Sequence, residues 1–496
     1  MLKKNSGRIR IILAFILILS AAAVCVIARN TAVGAAAHAR FELKYDKLDP
    51  YALDFSSHLP IVVIQVEFSS LVDRENPPLA AVWLFDGGGE NRLTDVPVEV
   101  FNSATVNYRG VSSYYVFPKK SFMLKLYDDK NFYRPLDYGF FGLGQASEWV
   151  LRTPYADKSL LRDWFSYEIA ATVLDWQPSG KPVQLFLQDG ASGMVSYHGV
   201  YFLSERITSG ETRLDIGQFN LKASERVDFD GGGYIFQRDR ARVYSNSISL
   251  PEDIHYRLMH PRRSEMSSRQ EAAFKDEIVF YHKFLNKTGE FEGIPEDDWN
   301  YWDYIDVDSF IDYYLFAELL MCADAGIQST YMYRPVGGKL VMGPYWDGDL
   351  IMGNYDNSEQ YYHLFRPLTR TVIDTLIRDK QFSARFAERW RELRSSIWTE
   401  RELLDLFDSM AEYMAEPAAQ NAVRWPEIYD GKTYIEYNPE PYVTSWDEEI
   451  ERTRSWLIDR LEWLDENIPR LVYESAIEIN DSYRELMDNE ALGSRE

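Results

Sequence analysis

The hydrophobic pattern of the chain turns from mainly strand-like to mainly helical near residue 265, and this constrains the fold more than any other feature. Before that point the segments read as strands. Pro60–Phe68 alternates and is rich in Val and Ile, Ala81–Phe85 is apolar, and Asp86-Gly87-Gly88-Gly89 is a turn signal. Val98–Phe101, Thr105–Arg109 and Ser121–Tyr127 follow. In the last of these, Phe122, Leu124 and Leu126 share one face, and Ser121, Met123 and Lys125 share the other. One helix interrupts, predicted over 159–175, with Asp157 or Ser159 as its cap. Strands resume at 182–187, 194–204 and 233–238. After residue 265 the spacing predicts helices over 268–286, 306–322, 370–395, 400–415 and 445–467, with an irregular stretch at 416–444. Strands followed by helices are an α+β pattern, and two lobes with a cleft between them would suit it.

A chain of 496 residues accommodates roughly two to four structural units. Hydrophobic residues make up 46% of it, enough for a core without covalent staples. The net charge of −24 makes a poor nucleic-acid binder, because such affinity comes mainly from Lys and Arg on phosphates, and no nucleic-acid partner is expected. Only Cys25 and Cys322 are present, which excludes a disulfide framework and Cys-rich metal sites.

The first residues read as an address. Lys3, Lys4, Arg8 and Arg10 precede an uncharged run from Ile11 to Ile27. The positive-inside rule keeps residues 1–10 in the cytoplasm and places the rest outside. Ala37-His38-Ala39 has the small-x-small form of a cleavage site. The expectation is therefore an extracytoplasmic protein, membrane-anchored by this segment or secreted after cleavage.

Familiar signatures are missing. The sequence has no GxxxxGK[ST], no HExxH and no GxSxG, and Gly231-Gly232-Gly233 opens a strand rather than a helix. The informative stretch runs from Asp324 to Gly353. It starts where the helix 306–322 ends. Ser329–Tyr333 reads as a strand, Pro335 to Gly338 as a turn, and Lys339–Tyr345 as a returning strand ahead of Trp346-Asp347-Gly348-Asp349. A hairpin would bring Asp324 and Asp347, 23 positions apart, to the same end. Carboxylates held close raise each other's pKa unless a partner offsets them, and Mg²⁺ is the usual one. Two other readings stay open at this point: polar turn residues with no further role, and the paired carboxylates of a glycosidase.

Several short motifs, in order, resemble those of the CotH kinase family, named after spore coat protein H. Tyr108-Arg109-Gly110-Val111-Ser112-Ser113 resembles its RG-x-SS segment, and Phe117-Pro118-Lys119-Lys120-Ser121-Phe122 its FPKKSY. Trp149-Val150-Leu151 with Asp157, Ser159, Leu160 and Arg162 resembles its W-x-L…D-x-S-x-x-R helix start. Gly199–Glu205 resembles its G-x-Y-x-L-x-E strand, and Asp324 with Trp346-Asp347-x-Asp349…Gly353 its two acidic motifs. The closing helix with Arg460 also fits. The resemblance covers roughly residues 60–470.

It implies an atypical protein-kinase-like, two-lobed fold. The corresponding divisions are a signal peptide or anchor at 1–39, a strand-rich N-terminal lobe at 40–260, a helix-rich C-terminal lobe at 261–470 with its catalytic segment at 324–353, and an acidic tail at 471–496. It implies a kinase that uses ATP and Mg²⁺ to phosphorylate Ser/Thr of secreted, spore-coat or surface proteins. By the same resemblance Asp324 is the catalytic aspartate, and Asp347, assisted by Asp349, holds Mg²⁺. Lys120, with Lys119 and Lys125 as rivals, neutralises phosphate, paired with Glu168 or Glu205, and Arg109 binds phosphate or braces the strands. Gln328-Ser329 stand where the family usually shows Asn-Asn, and Gln328 offers an amide oxygen to a second metal. The alternatives are a catalytically inactive surface, assembly or adhesion protein, and another nucleotide-dependent transferase on the same scaffold.

Overall fold

The alternation at residues 121–127 becomes a strand whose Phe122, Leu124 and Leu126 are buried while Ser121, Met123 and Lys125 are only half-buried. In the computed structural model the described residues are 54–72, 76–128, 131–217, 233–239, 247–250, 254–355, 362–370, 372–431 and 443–483. The proposed anchor at 1–39, the glycines 231–232 and the end of the acidic tail lie outside them. Among the described residues no helix is long and apolar enough to cross a membrane.

The chain divides into two compact units. The first comprises described residues within Met1–Thr153, together with Gly180–Glu205 and Ala415–Pro426. The second comprises Pro154–Ser179, Arg206–Met414 and the described residues from Glu427 onward. The chain therefore passes between the units several times, whereas the sequence pattern suggests one boundary near 260.

The first unit is a closed barrel. Its strands are β1 (Ile61–Val66), β2 (Leu79–Phe85), β3 (Glu99–Arg109), β4 (Ser121–Asp128), β5 (Glu148–Arg152), β6 (Gly180–Asp189) and β7 (Val195–Glu205). Hydrogen bonding runs β3-β2-β1-β6-β7-β5-β4, and β4 then pairs with β3, from Ala104 opposite Leu126 to Arg109 opposite Ser121. That last pairing closes the ring. Only β1 and β6 run parallel. Strand β1 is buried on both faces, which is why its sequence is almost continuously apolar. Val62, Ile64 and Val66 point into the barrel beside Trp149, Phe122 and Tyr201, while Ile61 and Val63 pack with Phe55, Trp83 and Phe186 outside it. A seven-stranded ring is narrow, and its side chains fill it. The segment Ala415–Pro426 caps this unit, with Arg424 Nε donating to Tyr197 O at 2.9 Å and Trp425 Nε1 to His198 O at 2.9 Å.

The second unit holds a five-stranded antiparallel sheet and most of the helices. The strands are β8 (Tyr234–Asp239), β9 (Ser247–Leu250), β10 (Ile254–His260), β11 (Thr330–Arg334) and β12 (Val341–Met342), in the order β9-β10-β8-β11-β12. The helices used below are α1 (Arg162–Ala170), α2 (Ser268–Leu285), α3 (Val307–Leu319), α4 (Lys380–Arg394), α5 (Glu400–Arg424, whose last turns belong to the first unit) and α6 (Trp446–Asn467). Caps set several starts. Ser267 forms a capping box with Gln270, Asp306 accepts from Ser309 N, and Ser445 accepts from Glu448 N. Asp379 accepts from the amides of Gln381 and Phe382, so the single helix expected over 370–395 is broken there. Conversely α5 runs on through Pro417, where the sequence reads a stop. The acidic stretch after 470 is tied down at its start, where Asn480 exchanges 2.8 Å hydrogen bonds with the Phe365 backbone.

The barrel interior gives a direct test of this account. Leu124→Ala is expected to cost about 3 kcal/mol, because it removes buried atoms and leaves a cavity, whereas Met123→Ala on the outer face costs under about 1 kcal/mol. Denaturant unfolding of both variants reads the difference, and equal losses would place the barrel interior on the wrong face.

Candidate functional site

The site is built on a turn, a hairpin and a second turn, all in the second unit. Helix α3 ends at Leu319, and residues 322–328 coil tightly, with Ile327 N and Gln328 N both donating to Asp324 O at 3.0 Å. Gly326 sits at φ 78°, and a Cβ there would meet Arg370 Cβ at 3.1 Å and Tyr314 OH at 3.2 Å, so only glycine fits without strain. Strand β11 leads out, β12 returns, and Met332 faces Met342 across the hairpin. The returning chain then lies beside the end of α3, since Met352 N donates to Leu320 O at 2.9 Å. The hairpin geometry expected from the sequence is present.

Asp324 and Asp347 consequently flank one dipeptide. Gln328 Nε2 donates to Asp324 Oδ1 at 2.5 Å, and Ser329 Oγ donates to Asp347 Oδ2 at 2.7 Å. All four residues are half-buried. Ser329 and Asp347 both adopt left-handed backbone conformations, φ 50° and 63°, which non-glycine residues rarely take. Tyr345 OH donates to Asp347 O at 3.0 Å. Gly348 N donates to Asp163 Oδ1 at 2.9 Å, and a Cβ on Gly348 would meet Ser166 Oγ at 2.2 Å. The Asp347-Gly348-Asp349 turn is thus seated on the first turn of α1. Asp349 is half-buried, and its carbonyl accepts from Asn354 Nδ2 at 2.7 Å.

Beneath this turn lies a buried ion network. Arg162, fully buried, donates from Nε to Ile351 O at 2.9 Å and from Nη2 to Met352 O at 3.1 Å. Its Nη1 lies 2.6 Å from Asp157 Oδ1 and 2.8 Å from Glu449 Oε1 on α6. Asp157 also accepts from the amides of Ser159 and Arg162, which starts α1. Burial pushes the Glu449 carboxyl up, but Arg162 and Arg452 outweigh it and bring it down to about 2. A second buried pair, Glu318 to Arg460 at 2.6 Å, ties α3 to α6. Burial raises Glu318 to about 7 against the pull of Arg460.

The remaining sequence-predicted residues are distributed as follows. Lys119 is enclosed in the barrel unit, where Nζ donates to Val200 O at 2.6 Å and Asn421 Oδ1 at 2.9 Å and lies 4.8 Å from the Tyr201 ring centroid. Burial, then Arg424, holds its pKa well below the usual lysine range. This lysine anchors the segment Ala415–Pro426. Lys125 pairs with Glu148 at 3.3 Å across β4 and β5, a Lys–Glu pair that the sequence pattern does not single out. Lys120 is half-buried, donates to Tyr114 O and has its pKa lowered by that burial. Arg109 ends β3 opposite Ser121. Glu205, buried at the end of β7, accepts from Gly144 N at 2.9 Å. Glu168 is exposed on α1, accepting from Trp164 Nε1 at 3.2 Å. The second unit therefore gathers Asp324, Gln328, Asp347 and Asp349, and the barrel unit holds Lys119, Lys120, Lys125, Arg109 and Glu205. Sequence reasoning missed Asp163 and Glu449, because an acidic residue in a helix's first turn reads simply as favourable to the helix dipole.

Asp347, Asp349 and the amide oxygen of Gln328 are hard oxygen donors of the type Mg²⁺ prefers. Among the described residues no three of His, Cys, Asp and Glu gather closely enough to hold a metal ion. A cation held by these donors alone would need water or a ligand to complete its coordination.

A mixed α/β chain with oxygen-donor carboxylates presented by a hairpin is the class that fold and site define. The sequence matches the family model described as CotH kinase protein over residues 106–464, most of its length, and the chain belongs to the CotH kinase family. It is, in that sense, a kinase-like protein. No curated protein matches the chain.

The ion network carries a pH signature. The Glu449 carboxyl is depressed from an ordinary 4.5 to about 2, so its stabilisation is present above pH 4.5 and lost as pH falls towards 2. Glu449→Gln is expected to lower unfolding free energy by about 3 kcal/mol at pH 7, with the gap closing below pH 4.5. Urea unfolding across a pH series checks this, and a gap unchanged down to acid pH would contradict it.

Proposed function

We propose that the chain is an exported, Mg²⁺-dependent protein kinase of kinase-like two-lobed organisation, transferring the ATP γ-phosphate to Ser or Thr of secreted, spore-coat or surface proteins. The observation that carries this reading is the placement of Asp324 and Asp347 on either side of Gln328-Ser329. Asp324 would orient the substrate hydroxyl and accept its proton as the hydroxyl oxygen attacks the γ-phosphorus and the bond to the β,γ-bridging oxygen breaks, releasing ADP. Asp347, with Asp349 and the Gln328 amide oxygen, would hold Mg²⁺, which when bound neutralises charge on the phosphates. Phosphoryl transfer asks little covalent chemistry of a protein, so fixed positions and fixed charges supply the rate. The rigid seating of the 347–349 turn on α1 suits that demand. In the barrel unit Lys119 is enclosed, Lys125 is paired with Glu148, and Lys120 donates to the Tyr114 carbonyl.

Two substitutions separate the roles. Asp347→Asn removes a charged metal ligand and is expected to abolish transfer and to weaken Mg·ATP binding by at least about tenfold. Asp324→Asn is expected to abolish transfer while leaving Mg·ATP binding within about twofold. Calorimetry and a transfer assay on a generic basic protein measure both, with circular dichroism confirming folding. Equal Mg·ATP affinity for wild type and Asp347→Asn would overturn the metal assignment.

One observation favours a second reading, an inactive kinase-like assembly or adhesion protein. Asp324 Oδ1 already accepts a 2.5 Å hydrogen bond from Gln328, on the carboxylate a substrate hydroxyl would need. Under that reading the wild-type protein binds Mg·ATP in the same assays yet transfers no phosphate.

Export rests on the charged start and the apolar run Ile11–Ile27. A reporter that is active only in the cytosol, fused to the C-terminus, is expected to stay silent. A strong signal would remove the extracytoplasmic assignment.

A further inference from the structure

We propose that Ser329 is a positioning residue for Asp347, fixing the carboxylate that the reading above assigns to the metal, and the inference rests on that reading. The hydroxyl donates to Asp347 Oδ2 at 2.7 Å, a normal length for a hydrogen bond to a carboxylate. The contact joins two non-glycine residues that are both held in left-handed backbone conformations, Ser329 at φ 50° and Asp347 at φ 63°. Strain of this kind persists only where the surroundings enforce it. Here they do so on both sides. Thr330 Oγ1 accepts from Gly326 N and donates to Gln328 O, each at 2.9 Å, so the turn before Ser329 is fixed. Tyr345 OH on the Asp347 carbonyl and Gly348 N on Asp163 fix the other turn.

Two bent backbones thus bring one hydroxyl onto one carboxylate. A carboxylate on a single-bonded stem rotates about its last torsion, and the hydroxyl removes that freedom by holding Oδ2. Mg²⁺ demands near-ideal octahedral geometry at roughly 2.0–2.1 Å, so a ligand already oriented binds it better than one that must be ordered on binding. Serine has the reach for this task with one donor and little bulk. Gln328 plays the corresponding part towards Asp324, and the two adjacent side chains each brace one aspartate.

The role separates from mere structure because hydroxyl and backbone strain can be changed independently. Ser329→Gly removes the hydroxyl and relieves the left-handed strain. Its melting temperature is expected to equal or exceed that of wild type, while Mg·ATP affinity falls about five- to tenfold and metal-free ATP affinity is unchanged. Ser329→Thr keeps the hydroxyl but places a β-branched residue at positive φ. It is expected to melt lower while keeping wild-type Mg·ATP affinity. Thermal unfolding and calorimetric titration of the full chain with ATP, with and without Mg²⁺, read both variants. Affinity that follows stability, or wild-type Mg·ATP affinity in Ser329→Gly, would overturn the proposal. If Asp347→Asn loses affinity while Ser329→Gly retains it, this inference alone fails. Absence of Mg·ATP binding by the wild type would remove the kinase reading and this inference with it.

Discussion

Arg162 holds the second unit's site together. One guanidinium, sealed from water, spends its donors on two carboxylates, two carbonyls and the hydroxyls of Ser159 and Thr453. A buried cation without such partners would be strongly destabilising, so the chain must bring Asp157, Glu449 and the carbonyls of Ile351 and Met352 to it. Those carbonyls belong to the segment that follows Asp347 and Asp349. The position of the acidic turn is thus an outcome of satisfying Arg162. Arrangement by buried charge also gives specificity: a slipped α6 would leave Glu449 or Arg460 without its partner, and each is nearly or wholly sealed from solvent.

The barrel unit follows a different logic. Its stability comes from apolar side chains that alternate in and out along seven strands, with a few buried polar groups among them. Lys119 is one of these. It reads in sequence as half of a basic pair, yet its ammonium is enclosed by a carbonyl, an amide oxygen and a tyrosine ring. Burial without a carboxylate among these partners is what lowers its pKa. Its neighbour Lys120 is half-buried and donates to the Tyr114 carbonyl instead.

Local patterns were legible and long-range closures were not. The inward face of Phe122, Leu124 and Leu126 and the hairpin linking Asp324 to Asp347 rest on local pattern and turn signals, and both appear as expected, whereas neither Asp157 nor Ser159 is the N-cap of α1, which starts later, at Arg162. The closure of β3 onto β4 depends on hydrogen bonds whose partners no periodicity names. Strand β10 was missed although Ile254, Tyr256 and Leu258 alternate with His255 and Arg257. Pro417 ends a helix by local rules, but α5 continues because residues beyond it, Asn421 and Arg424 among them, find partners in the barrel unit. At the site the aspartates were readable as a pair, but the residues that orient them were not. Ser329 looks like any strand-edge serine until a left-handed backbone turns its hydroxyl onto Asp347, and Asp163 looks like a helix-start acid until Gly348 lands on it.

The proposed kinase reading puts nucleotide and metal at the hairpin of the second unit. A crystal structure of the protein with Mg²⁺ and a non-hydrolysable ATP analogue tests this most directly. The account predicts a metal at about 2.0–2.1 Å from an Asp347 carboxylate oxygen, with the terminal phosphate on the side of Asp324. Nucleotide bound elsewhere, or a metal that makes no contact with Asp347, would contradict it.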